Sequence, residues 1–486
     1  MDARGVDRGR DPVLVRWKAG LLGLGGLGSL ALLLAHAWQY AFLTDDAYIS
    51  SRYAVNQAEG QGLVFNPGER VEGYTNFLWV VVLAAFAFAG MPPEVVALPL
   101  SAAATTGLWA VTAWWALRSS PSGAARGWAL APLLLLATNR TVAVWSSGGL
   151  ETRLFELLVV AAVLAVATRL VARRDPRTFL LPASLFALAT LTRPDALLIT
   201  VSCAAVALGV LRHRDASLRP LLIGAGLYVA IVGSHLTFRR LYYGDWLPNT
   251  YYAKVGGQDW DGEGFLYLEA FLLEYAALLW AFPLALAVLG HWRRRTLVVP
   301  ALLGAAIVPH AAYYVSIGGD HFEYRRFGLY LPLLFLLIGD GLRTAGGRPL
   351  RSTVAALYLL TMVAAGSLVP YLSHVGFPTS YHPGFPGGCG HEFGDWVDVE
   401  TSPLRWVPGL QWTLDHWRPR MWSLSRRFIG LRQEEHAAFV ATVEPEGLLL
   451  ASAMEAGLLR PDSHVAIDSV GAIPYFSGMG SSTATD

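Results

Sequence analysis

The sequence predicts an all-α polytopic membrane protein with a small α/β region after its last span. Three observations predict it. Hydrophobic residues make up 54% of the 486 and charged residues only 15%, against about 25% charged in an ordinary soluble domain. Apolar runs recur from residue 19 to residue 371, most of them long enough to cross ~30 Å of hydrocarbon as a helix. Arginine clusters fall in alternate loops between those runs, the asymmetry that orients a chain in a bilayer.

Arg4, Arg8, Arg10, Arg16 and Lys18 precede a run from Ala19 to Leu43. No small-residue cleavage site stands out, so this reads as an anchor with its N-terminus inside. A polar segment to Thr75 follows, then an apolar run over 76–90. That run is shorter than the ~20 residues a span needs, so it is expected to be a juxtamembrane or re-entrant helix in the outer leaflet. The next runs are 94–117, 127–145, 154–172, 178–191, 195–211, 219–238, 266–290, 297–316, 327–342 and 352–371. With the first they give about eleven transmembrane helices; the short runs 178–191 and 195–211 are candidates for a broken pair.

Alternation from an inside N-terminus puts Arg118 and Arg126, Arg173, Arg174 and Arg177, Arg212 and Arg214, Arg293 to Arg295, and Arg343, Arg348 and Arg351 in inner loops. Counting 76–90 as a span would turn most of these outward, against the positive-inside rule. The membrane part is therefore 1–371, with its first outer loop over 44–93, and residues 372–486 form an outer C-terminal region. There the sequence predicts a helix over 433–458 and a short strand at Val465-Ala466-Ile467, ahead of a Ser/Thr tail. One strand cannot satisfy its own backbone, so a partner is expected from 380–430 or from beyond this chain. Cys203 and Cys389 lie far apart and suggest no disulfide framework.

The outer loops carry the candidate chemistry. Asp45-Asp46 stands at the end of the first span, where charge is costly and marks function. If Asp45 opens a helix, Arg52 lies two turns on along the same face. A carboxylate beside a cation suits deprotonation of a hydroxyl next to a phosphate; an N-cap and a surface ion pair is the plainer alternative. In Asn66-Pro67-Gly68-Glu69-Arg70-Val71-Glu72, turn chemistry explains the loop, while Glu69, Glu72 and Asn76 are candidates for sugar hydroxyls. Arg193-Pro194-Asp195 joins two apolar runs; Pro194 and Asp195 suit a helix start, but Arg193 at that depth needs a phosphate or an internal carboxylate.

Asn249 and Lys254 share a loop with Tyr and Trp residues that also suit an interfacial belt. Lys254 is a candidate point charge for phosphate. Asp320, His321, Glu323, Arg325 and Arg326 form the densest ionisable cluster, open to a divalent metal or to an anion on the arginine pair. No P-loop or GxGxxG follows a strand, so no nucleotide donor is implied, and nothing points to nucleic acid.

Taken in order, Asp-Asp after the first helix, Asn-Pro-Gly-Glu-Arg-Val-Glu, Ser-Gly-Gly-Leu-Glu (ending at Glu151), Arg-Pro-Asp, Tyr-Tyr-Gly…Pro-Asn-Thr…Ala-Lys and Gly-Gly-Asp resemble the GT-C class of integral-membrane glycosyltransferases. Within it the chain most resembles the mycobacterial terminal β-arabinofuranosyltransferase and its bacterial relatives, from about residue 15 to 345. The resemblance implies a GT-C fold in a bacterial inner membrane, with the site on the periplasmic face. It implies a catalytic Asp at Asp45 with Asp46 as neighbour, a polyprenyl-phosphate sugar donor and a glycan or glycolipid acceptor. Arg52, Arg193, Lys254, Arg325 and Arg326 are its candidates for the donor phosphate. Glu69, Glu72, Asn76, Glu151, Asp195, Asn249, Asp320 and His321 are its candidates for sugar or acceptor. Here the Gly-Gly-Asp motif continues as His-Phe-Glu-Tyr-Arg-Arg, and the chain ends soon after Gly471-Ala472-Ile473-Pro474-Tyr475, where family members commonly continue. Two other classes stay open: a transporter or flippase of lipid-linked sugar, and a non-catalytic, truncated paralogue that binds polyprenyl phosphate.

Overall fold

The computed structural model of the chain describes residues 12–483 except 121–123, 172–178, 256–261, 347–348, 376–400, 408, 461–462 and 468–469. The predicted inner-loop residues Arg173, Arg174, Arg177 and Arg348, and Cys389, lie outside the described residues. In chain order the helices are α1 (Pro12–Gln39), α2 (Asp45–Ala58), α3 (Phe77–Phe88), α4 (Pro93–Ser119), α5 (Leu130–Thr138), α6 (Arg140–Val144) and α7 (Thr152–Val171). They continue as α8 (Leu180–Thr192), α9 (Ala196–His213), α10 (Arg219–Tyr242), α11 (Asn249–Val255), α12 (Glu263–Glu274), α13 (Leu278–Arg293), α14 (Val298–Ser316), α15 (Tyr330–Ala345) and α16 (Pro349–Val375). After these come α17 (Leu410–Ser425), α18 (Gln433–Glu455), strand β1 (His464–Ile467), α19 (Ala472–Ser477) and strand β2 (Gly480–Thr483).

Among the described residues nine helices are long and apolar enough to cross a membrane, or ten if α12 and α13 count as one bent span. The chain is a multi-pass membrane protein. Its helices leave Leu24, Val201, Leu222, Val229 and Val308 exposed, apolar surface that water would not tolerate in such quantity.

All eleven predicted runs are helical, but three differ in detail. The run 127–145 is broken at Asn139, whose side-chain oxygen accepts from the Val142 amide and caps α6. The run 266–290 is bent by 85° between α12 and α13, where Ala276 takes a left-handed conformation. Runs 178–191 and 195–211 are separate neighbours, not one broken span: α8 and α9 meet at the Arg193-Pro194-Asp195 turn. Their far ends meet neighbouring helices, Phe179 under Gly224 of α10 and Arg214 donating to the Leu170 carbonyl of α7 at 2.6 Å. Helix α18 also passes on length and composition, yet it carries Glu434, Glu435, Glu444, Glu446 and Glu455 and packs on α19 and α2.

Helix α3 begins and ends at one end of the bundle. At its start Asn76 donates to Ser50 and Glu151. Just after it, Glu94 accepts from the Tyr475 hydroxyl, in the same segment that bonds Asp45. A helix of twelve residues rises only about 18 Å. It does not invert the alternation, so the loops rich in acids, bases and aromatics gather at one end. At the opposite end Arg343 donates to Ser119 and Asp340, and His291 meets Asp340 at 3.2 Å.

The strand partner is not where the sequence reading put it. β1 pairs in parallel with β2, His464 opposite Gly480, so the Ser/Thr tail itself satisfies the strand. The hydrophobic pattern misses β2 because Gly-Ser-Ser-Thr carries no apolar alternation.

Candidate active site

Asp45 and Asp46 open α2, where carboxylates complement the helix dipole. Their environments differ. Asp45 is buried, and its two oxygens accept from the backbone amides of Gly471 at 3.0 Å and Ala472 at 2.7 Å. A Cβ on Gly471 would lie 2.1 Å from the Asp45 carbonyl oxygen, so only glycine lets the two backbones approach this closely. Asp46 is half-buried and makes no hydrogen bond or ion pair among the described residues. Gly471→Ala is expected to lower the thermal midpoint, at a cost of about 1–3 kcal/mol for the forced shift; an unchanged melting curve in detergent would contradict this contact.

Arg52, two turns after Asp45, is turned to the same C-terminal segment. Its guanidinium donates to the carbonyls of Phe65 (2.7 Å), Met479 (2.7 Å) and Pro474, and burial brings its pKa down to about 10. Helix α2 thus grips residues 471–479 from both ends, by carboxylate and by guanidinium. Arg52 is spent on backbone oxygens, which argues against its reading as a phosphate ligand.

A second arrangement is a buried polar chain across the bundle. Ser50 and Asn76 bond one another, Asn76 donates to Glu151, and Glu151 accepts from Arg193 at 2.9 Å. Arg193 also reaches Asp195 at 3.1 Å and the Tyr314 hydroxyl at 2.9 Å. Asp195 in turn meets His310 Nε2 at 2.9 Å, whose Nδ1 lies 2.7 Å from the Tyr330 hydroxyl. Of the two partners open to Arg193, phosphate or carboxylate, the structure supplies two carboxylates. Glu151, Asp195 and Asn76 are likewise occupied with protein groups.

Beside this chain lies a small pocket lined by Arg193, His310, Arg325, Arg326, Thr152, Phe155, Glu156 and Leu329. Arg325 and Arg326 share one carboxylate: their Nε atoms lie 3.3 and 2.9 Å from Asp320 Oδ2. Two guanidinium charges on one carboxylate leave a positive excess at the wall, the electrostatics of an anion site. Arg193, matched by two carboxylates, has none to spare.

The remaining sequence candidates scatter. Glu72 is buried against Arg239 at 2.6 Å and its carbonyl accepts from the Asn249 amide, so both hold the first outer loop to the end of α10. Burial raises the Glu72 pKa and Arg239 opposes the rise. Glu69 is exposed and accepts from Asn66 within its turn. Asn249 is exposed. Lys254 belongs to α11, its side chain outside the described residues. His321 is exposed, with Nδ1 2.9 Å from the Phe428 carbonyl.

The metal alternative for Asp320, His321 and Glu323 finds no geometry. Asp320 holds the arginine pair, His321 faces Phe428, and Glu323 is a buried ion-pair hub. Arg140 Nε lies 3.0 Å from Glu323 Oε1, while Arg432 Nε (3.2 Å) and the Gln433 amide (3.0 Å) meet Oε2. Among the described residues no three His, Cys, Asp or Glu side chains gather as a metal group.

Sequence reasoning passed over Arg140, Arg153, Glu156, His310 and Tyr314, because each sits inside or beside an apolar run taken as a plain span. The signal was present: ionisable residues within a membrane helix are a functional flag in themselves.

No family model matches the chain. It is 27% identical over 338 residues to the terminal β-(1→2)-arabinofuranosyltransferase of Mycobacterium tuberculosis, covering 63% of this chain and 53% of that protein. The chain thus spans about half the length of the curated relative it matches. Two crystal structures of ArnT from Cupriavidus metallidurans, one bound to undecaprenyl phosphate and one in the apo state, superpose with TM-scores of 0.58 and 0.59. Each match covers 96% of this chain and 86% of ArnT at 14% identity. The chain has a GT-C fold. In this fold the start of α2 carries Asp45 and Asp46, and α7, α14 and the 325–329 segment carry most of the arginine pocket.

Proposed function

We propose that this chain is a glycosyltransferase that moves a sugar from a polyprenyl-phosphate donor to a cell-envelope glycan or glycolipid. In this reading the site lies on the outer face of a bacterial inner membrane, which the arginine-rich loops between alternate helices support. The observation that carries the reading is the arginine-walled pocket at the polar end of a fold shared with a protein captured on undecaprenyl phosphate. Arabinofuranose, or another pentose, is the sugar the curated likeness favours.

In the mechanism, Asp46 takes the proton from the acceptor hydroxyl as its oxygen attacks the anomeric carbon. The C–O bond to phosphate breaks, and the polyprenyl phosphate leaves with the electron pair. Arg325 and Arg326 stabilise the charge that develops on it. Asp45 is kept from the base role by its two amide hydrogen bonds and positions α2 against residues 471–472. Attack by one nucleophile on one face implies inversion at the anomeric carbon.

Changing both Arg325 and Arg326 to Gln is expected to weaken polyprenyl phosphate binding by about tenfold or more, since a charged hydrogen bond carries ~1.5–3 kcal/mol. Arg52→Gln is expected to lower the melting temperature instead, with binding retained in the folded fraction. Isothermal titration in detergent micelles, with melting curves alongside, separates the two. Unchanged binding in the Arg325/Arg326 variant would remove the pair from the phosphate site.

A further inference from the structure

We infer that the part of the arginine pocket formed by Thr152 and Glu156 is a sugar subsite, in which the two side chains read hydroxyl groups of the transferred sugar. The inference rests on the transferase reading and names the residues that select its substrate. Both side chains are almost fully buried, at 5% and 1% exposure, and both line the pocket. Each holds a buried oxygen with no hydrogen-bond partner, Thr152 Oγ1 and Glu156 Oε1.

Other buried side chains also carry unpartnered oxygens, Ser101 and Glu435 among them, but Thr152 and Glu156 line one pocket together. The helical threonines Thr105, Thr112, Thr168 and Thr190 each return their hydroxyl to the carbonyl four residues back. Thr152, at the first position of α7, makes no such bond. Glu156 pairs with Arg153 through Oε2 only. Orphaned buried oxygens cost about 1–3 kcal/mol each, and a bound group that donates to them recovers it.

The chemistry of the two sets of groups differs. A carboxylate oxygen repels phosphate and accepts from a neutral hydroxyl, while the arginine pair prefers the phosphate. Phe155 also lines the pocket, with Arg193 packed on its ring at 5.3 Å, and adds an apolar surface for a sugar ring. An arginine pair and two acceptor oxygens lining the same pocket match the chemistry of a sugar 1-phosphate, anion and hydroxyls. Sites built to hydrogen-bond a substrate hydroxyl discriminate strongly against analogues that lack it, because their polar groups are then left unpaired.

The test compares binding of farnesyl-phosphoryl arabinofuranose with binding of farnesyl phosphate, by titration into the full-length protein in micelles. Thr152→Val keeps the shape and removes the hydroxyl; Glu156→Gln is the second variant, with melting curves for both. The expected result is that each variant binds the sugar-bearing compound about tenfold more weakly, as loss of one buried hydrogen bond implies, and binds farnesyl phosphate as before. Equal weakening of both compounds, or no change in either, overturns the subsite. Binding of farnesyl phosphate without any gain from the sugar in the unsubstituted protein overturns it too, and leaves the transferase reading standing. Binding of neither compound overturns both.

Discussion

Replacing Asp46 with asparagine is expected to reduce transfer by about 10²–10⁴-fold, the usual contribution of a positioned general base, with donor binding and melting temperature unchanged. The half-buried Asp46 carboxylate has no hydrogen bond or ion pair among the described residues, so asparagine strands nothing in the fold and removes only the proton acceptor. Asp45→Asn has a different signature. An amide offers one acceptor oxygen where the Gly471 and Ala472 amides need two, and its NH₂ then faces a backbone N–H. Activity should fall together with the melting temperature, because α2 loses its hold on residues 471–472. Initial rates of polyprenyl phosphate release, set against melting curves for both variants, check this. A full rate in Asp46→Asn, with a lost rate and an unchanged melting temperature in Asp45→Asn, would exchange the two roles.

The largest effect on stability is expected at Glu323. Its side chain is fully buried and faces two guanidinium groups, Arg140 and Arg432, which are themselves almost fully buried. Glu323→Ala would leave both charges short of a partner in a low-dielectric site, at a cost of about 3–5 kcal/mol. Glu434 on Arg140 and Glu274 on Arg432 soften the loss without replacing it. The hub joins α6, the 320–326 loop and the start of α18, so the variant should also release the C-terminal helices from the bundle. Thermal melting of the detergent-solubilised protein and limited proteolysis within 403–455 measure the two consequences. A melting temperature within one degree or so of the unsubstituted protein would show that the neighbouring carboxylates suffice.

Much of the bundle was legible because membrane helices announce themselves by length and apolarity; the sidedness rests on arginine placement alone. The non-spanning nature of α3 followed from parity alone, and Asn76 and Glu94 at one end of the bundle agree with it. The breaks at Asn139 and Ala276 were hidden, since periodicity cannot distinguish a straight span from two helices bent within the same apolar run. At the site, motif residues were visible but their partners were not. Arg193 could not be assigned between phosphate and carboxylate until Glu151 and Asp195 stood beside it. Arg52 looked like a ligand because sequence spacing cannot show that Pro474 and Met479, more than 400 residues on, lie against it. The contact of residues 471–472 with Asp45 is of the same long-range kind.

The most direct measurement supplies the purified protein with a polyprenyl-phosphoryl pentose and an oligosaccharide acceptor, and follows both the released polyprenyl phosphate and the extended glycan. The account predicts that the two products appear in equal amounts, only when acceptor is present, and that Asp46→Asn abolishes both. Movement of the lipid-linked sugar across a proteoliposome membrane with no glycosidic product would contradict it, as would binding of the donor with no turnover.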